Sequence, residues 1–221
     1  TWNLSRVFGQ VRLDRSPTST WALSLGAALL FFLSVLIHEL AHSLVARSRG
    51  IRVEDITLFI FGGVSDIEEQ PDTPGGEFLM AVLGPVTSFV IGVILLFLAG
   101  VGGNPGAVLG DPEGTLAQLK PLTTLLVWLG SINVVLGVFN MVPGFPLDGG
   151  RVLRSIVWAL TGSLETATRF ASIVGLVIGW AMIAGGVLII LGVAIPVFGS
   201  GFVSGLWLSL IGWFLHSAAI R

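Results

Sequence analysis

Apolar runs long enough to cross a bilayer constrain this chain more than any other feature. A span takes ~20 residues. Five runs qualify, at about 21–46, 78–101, 121–141, 172–195 and 202–219. Composition agrees, with 53% hydrophobic and only 11% charged residues, against about 25% charge in a soluble domain. The fold expected is an all-α polytopic membrane protein with about five transmembrane helices. The first run is too long, and too polar at its end, for a cleaved signal peptide. The linker "AIPVFGSG" before the last run reads as a tight turn from its Pro and Gly.

Net charge is −2, which suggests no basic face for nucleic acid. Cys is absent, which removes disulfides, thiolate metal sites and cysteine nucleophiles. Arg47, Arg49, Arg52, Arg151, Arg154, Arg169 and Arg221 fall on one side of a five-span topology, and Lys120 alone falls opposite. The positive side is expected to be cytoplasmic, in a multi-pass cell-membrane protein. Arg151 and Arg154 are expected to face headgroups there. The N-terminal tail, with Arg6, Arg12 and Arg15, runs against this rule. One further span before the first would reconcile it; the alternative is a tail that tolerates three arginines outside.

Between the spans, "IRVEDITLFI" is rich in β-branched and aromatic residues and precedes Gly62, Gly63 and "VSDIEE". This predicts two short strands around a glycine-containing bend. "RVFGQVRL", in the tail of residues 1–20, is a further candidate strand. Strand edges do not face lipid, so such pieces belong against protein or at the interface. Asp66, Glu68, Glu69 and Asp72 read as a solvated face.

The first span contains the chemistry. His38-Glu39-Leu40-Ala41-His42 is an H-E-x-x-H sequence, and it uses two of only three histidines in the chain. Residues four apart share a helix face, so both imidazoles can converge on one ion. Glu39 then lies beside the ion and can accept a proton from water. Burying these groups without a partner costs several kcal/mol, and a metal turns them into ligands. Zinc, one per chain, suits two His, one carboxylate and one open position. His38 precedes Arg47 by nine residues, or roughly 13 Å of helix, which puts the centre inside the cytoplasmic half of the bilayer.

A third ligand must come from elsewhere, and Asp148 is the candidate. Pro143 and Pro146 break the helix before it, and Asp148-Gly149-Gly150 reads as a turn. Asp148 serves equally well as a cap for a helix starting near Arg151, or as an ordinary Asp-Gly turn. Asn140 can donate a hydrogen bond to substrate or to a developing oxyanion, or simply bond a neighbouring helix. Asn133 reads as helix–helix glue, and Gly175-x-x-x-Gly179 as a close-packing face. Phe61, Gly62 and Gly63 offer an edge on which an unwound substrate could pair; the alternative is a tight bend.

HELAH, Phe61-Gly62-Gly63 and Asn140-x-x-Pro143-x-x-Pro146-Leu147-Asp148-Gly149 occur in that order within about residues 21–170. Together they resemble the site-2 protease family of intramembrane zinc metalloproteases, most closely its prokaryotic branch without a PDZ domain, which includes the sporulation-factor proteases. The resemblance implies zinc held by His38, His42 and Asp148, with Glu39 as general base. An intramembrane metalloprotease domain is expected over residues 21–221, with Asn140, Phe61, Gly62, Gly63, Pro143 and Pro146 expected near substrate. It also implies a transmembrane or membrane-anchored protein as substrate, in regulated intramembrane proteolysis, and usually one span before the HExxH helix. Many members of this branch end in a cytoplasmic CBS pair; none is expected in residues 1–221. A second copy of the chain, or a regulatory membrane protein, is a partner the sequence allows. Two other functions compete. A transporter or channel moving metal ions or protons would show polar groups on several spans, and here they cluster. A catalytically silent helix-binding relative sits poorly with an intact HELAH.

Overall fold

A computed structural model describes residues 17–50, 53–59, 62–67, 72–100, 121–195 and 199–220. Six helices and one hairpin are present among them: α1 (Pro17–Ser48), β1 (Val53–Phe59), β2 (Gly62–Ile67), α2 (Pro74–Leu98), α3 (Pro121–Asn140), α4 (Asp148–Thr161), α5 (Leu164–Ile190) and α6 (Phe202–Ala219). All except α4 are long and apolar enough to cross a membrane. The chain divides into two compact units, and α2 contributes to both.

The first unit contains α1, the hairpin, α2 from Leu83 onward and α3 to Phe139. On α1, Ser24, Ala27, Ser34, His38, His42 and Ala46 are buried, at the three- and four-residue steps of one helix face. Leu33, Ile37, Leu40 and Leu44 are exposed. This is the reverse of a soluble helix: the polar stripe points into protein and the apolar one points out, as lipid requires. Helices α2 and α3 approach closely where side chains are missing. A Cβ on Gly92 would fall 2.8 Å from the Gly130 carbonyl oxygen, and one on Gly130 would fall 3.0 Å from that of Gly92. Asn133, fully buried, donates from Nδ2 to Ser34 Oγ of α1 and to Leu129 O of its own helix. It therefore joins α3 to α1, the structural role expected of it.

The hairpin is antiparallel, with Phe59 opposite Gly62 and Leu58 opposite Gly63. The two glycines thus open the second strand and do not form the bend. The other expected strand, in the tail, and Phe61 lie outside the described residues.

The second unit contains residues 69–82 and 140–221 and the short segment 49–51. Helix α5 begins at Leu164, ahead of the apolar run expected from about 172. Its Ser163 N-cap accepts from the Thr166 backbone N–H, and such a cap lets a polar first turn form. Helices α5 and α6 pack through Gly179, Gly186, Gly205 and Gly212. Gly179 would place a Cβ 2.9 Å from the His216 backbone nitrogen, and Gly212 one 2.8 Å from the Gly179 carbonyl oxygen. The linker between them closes where Ile195 and Gly199 exchange backbone hydrogen bonds, with Gly199 at φ 79°.

Arg151 and Arg154 do not face headgroups. Glu77 in the first turn of α2 is fully buried and pairs with Arg154, whose Nε lies 2.6 Å from Oε1. Arg151 approaches the same oxygen at 3.9 Å and the Met80 sulfur at 3.4 Å. The buried carboxylate turns both arginines inward, because a charge taken out of water must be paired.

Candidate metal centre

The centre is built first from α1. His38, Glu39 and His42 are 3%, 8% and 5% exposed. The four-residue step stacks the two imidazoles edge to face, with ring centroids 4.9 Å apart. Their Nε2 atoms are 3.2 Å apart. Two nitrogens on a tetrahedral zinc, each at ~2.0–2.1 Å, would be about 3.3 Å apart. Two imidazole lone pairs at this separation repel unless a proton or cation lies between them. The geometry therefore fits zinc.

Helix α2 faces this pair with small residues. Gly84 is the decisive one: a Cβ there would lie 2.7 Å from His38 Nε2 and closer still to His42 Nε2. The space a methyl would fill is the space an ion needs. One turn further on, Ser88 Oγ lies 2.9 Å from His38 Nδ1, and Ser88 is fully buried. Pro85 stands between them within the helix, where a membrane helix tolerates it. None of these three stands out in the sequence as a site residue. The signal available was Gly84-Pro85 in the middle of an apolar run, with a hydroxyl one turn later.

Asp148 is half-buried at the start of α4. It does not cap that helix. The N-cap is Leu147, which makes no side-chain cap bond, and Asp148 is the first helical residue. Nor do Asp148-Gly149-Gly150 make a separate turn, since all three are in the first turn of α4. Gly149 and Gly150 let the preceding loop lie against that turn. A Cβ on Gly150 would meet Phe145 N at 2.5 Å, and one on Gly149 would meet the Met141–Val142 backbone. Leu147 N–H donates to Gly144 O, and Gly150 N–H to Leu147 O. The carboxylate is thus held where a negative charge suits the helix N-terminus. His38 and His42 are the buried donor pair of the first unit, and Asp148 is the carboxylate at the start of α4 in the second.

Asn140 ends α3 and is half-buried. Pro143 and Pro146 are exposed on the loop, and the Phe145–Pro146 bond is cis. Gly62 and Gly63 pair with β1.

Comparison with known proteins agrees with this chemistry. The sequence model of peptidase family M50 matches residues 26–185. A Synechocystis protein that carries a zinc metalloprotease name is 42% identical over 90% of this chain and 47% of its own length. Rip3 of Mycobacterium tuberculosis, also named as a zinc metalloprotease, is 37% identical over 99% of this chain and 51% of its own. The chain therefore spans about half the length of these relatives. Among solved structures, the site-2 protease from Methanocaldococcus jannaschii superposes with a TM-score of 0.61 at 30% identity, covering 87% of this chain and 74% of that one. With a buried zinc-type histidine pair, five membrane-length helices and a family match over most of its length, this chain belongs to peptidase family M50, the site-2 proteases.

Proposed function

We propose that the chain is an intramembrane zinc endopeptidase, hydrolysing peptide bonds of transmembrane or membrane-anchored substrates in regulated intramembrane proteolysis. One observation supports this above the others: two buried Nε2 atoms 3.2 Å apart, beside a buried glutamate, within a membrane-length helix. His38, His42 and Asp148 are the proposed ligands and Glu39 the general base. When bound, zinc supplies a Lewis acid that polarises the scissile carbonyl and acidifies water. Glu39 accepts the water proton and delivers it to the leaving amine. Burial of Glu39 strengthens its electrostatic interaction with the reacting groups and keeps bulk water from competing for its proton.

A substrate helix hides its peptide bonds and must be extended before attack. Residues Phe61, Gly62 and Gly63 are the proposed pairing edge. Asn140, Pro143 and Pro146 are proposed to line the approach, with the Asn140 amide donating to the substrate backbone. The centre is proposed to lie in the cytoplasmic half of the bilayer, a reading supported by the nine residues from His38 to Arg47 on one helix.

The test is metal analysis paired with cleavage of a membrane-anchored substrate by the purified chain. Glu39→Gln is expected to retain one zinc and to lose roughly 10²–10⁴-fold in rate. An active Glu39→Gln enzyme would remove the general base from the mechanism. Asp148→Ala is expected to lose zinc; unchanged zinc affinity would remove the third ligand.

A further inference from the structure

We propose that Ser88 is a positioning residue for the metal centre: its hydroxyl accepts the Nδ1 proton of His38 and so fixes the tautomer that points the Nε2 lone pair at the ion. The inference rests on His38 being a ligand, as proposed above.

A hydroxyl within a helix ordinarily bonds back to its own preceding turn. Ser34, Ser48, Ser155, Thr161, Thr168 and Ser217 all donate to a carbonyl three or four residues earlier. Ser88 behaves differently: its Oγ meets a ring nitrogen on another helix, 2.9 Å away and fully buried. Neutral imidazole carries one N–H and one lone pair, so the partner of one nitrogen determines what the other can do. His38 Nε2 is the atom that faces His42 Nε2. If Ser88 donated to Nδ1, the proton would be on Nε2 and would fill the position an ion needs. If Ser88 accepts from Nδ1, Nε2 is free to ligate. Only the second polarity is compatible with a metal centre.

Gly84 gives an independent reason to assign this face of α2 to the centre. It lies four residues before Ser88, hence on the same face, and its missing side chain leaves room at both Nε2 atoms. One residue supplies space and the other supplies orientation. A ligating histidine is commonly held by a partner on its other nitrogen, and loss of that partner costs about 10–100-fold in metal affinity. Here the partner is an uncharged hydroxyl, which fits a site inside a bilayer, where a further buried carboxylate would itself need pairing.

The experiment measures zinc affinity by competition with a chelator, and the visible spectrum of the cobalt-substituted chain, in detergent. Ser88→Ala is expected to weaken affinity by about 10–100-fold and to alter the cobalt bands. Ser88→Thr, which keeps the hydroxyl, is expected to restore most of the affinity. Ser34→Ala serves as the control. It removes a buried hydroxyl from the same polar stripe of α1, and is expected to lower thermal stability while leaving zinc affinity unchanged. Wild-type affinity in Ser88→Ala would overturn the proposal, as would equal losses in Ser88→Ala and Ser88→Thr. His38→Ala separates this proposal from the ligand reading: zinc retained at full affinity there refutes His38 as a ligand. Zinc lost in His38→Ala but unchanged in Ser88→Ala refutes only the positioning role.

Discussion

At the scale of single residues, the centre depends on an absence as much as on a donor. Gly84 lies where a methyl group would come within 2.7 Å of His38 Nε2. Gly84→Ala must therefore push the helix back or occupy the ion's position. Overpacking of this kind costs about 1–3 kcal/mol, and the histidine pair is the part that can yield. The expected outcome is a folded chain with reduced zinc stoichiometry and cleavage at least roughly tenfold lower, read by metal analysis and rate on the same preparation. Full zinc occupancy in Gly84→Ala would show that the ion does not use this space. The His38/Glu39/His42 part of the centre was legible in the sequence because four-residue spacing within an apolar run has few bland explanations. Gly84 and Ser88 were not legible, because small residues at that same spacing in a span also serve ordinary helix packing. Only the distance to His38 distinguishes the two uses.

At the scale of elements, the five long helices follow from apolar run length, and α4 does not. Its 14 residues include two arginines, and it is too short to span. What secures it within its own unit is Glu77, fully buried at the start of α2 and paired with Arg154. Arg154 also lies over the Phe145 ring, 5.3 Å from its centroid, and so joins α4 to the loop that precedes Asp148. Sequence alone suggested headgroup contacts for these arginines, because a lone arginine near a span end usually does face lipid. Its carboxylate partner is distant along the chain, and no local pattern announces it. Glu77→Ala leaves the half-buried Arg154 guanidinium as an uncompensated charge, which costs up to about 3–5 kcal/mol. Thermal unfolding in detergent is expected to show that loss, and Glu77→Ala combined with Arg154→Met is expected to recover part of it. A double variant no more stable than Glu77→Ala alone would mean that the cost is packing and not charge.

At the scale of the whole molecule, the chain treats lipid as its solvent. Each of the five long helices shows large apolar side chains outward, among them Leu44, Phe97, Val138, Val177 and Trp213, while the buried faces carry Ser24, Ser34, His38, Ser88, Thr124 and Asn133. If all five cross, the ends of the helices alternate between two faces. The loop before α5 and the loop before α6 must then lie on opposite faces. From Arg47, Arg49 and Arg169 in the sequence, the positive-inside rule predicts that the loop before α5 is on the cytoplasmic side. The chain lacks Cys, so single cysteines report without background. Thr161→Cys, exposed near the start of α5, is expected to react with an impermeant maleimide only in inside-out membranes. Ser200→Cys, exposed before α6, is expected to react only in right-side-out vesicles or intact cells. Labelling of both from one face would mean that one of the five helices does not cross. Exchange of the two patterns would put the metal centre nearer the opposite surface, because the distance from His38 to Arg47 along α1 is fixed by helix geometry, whichever way the helix points.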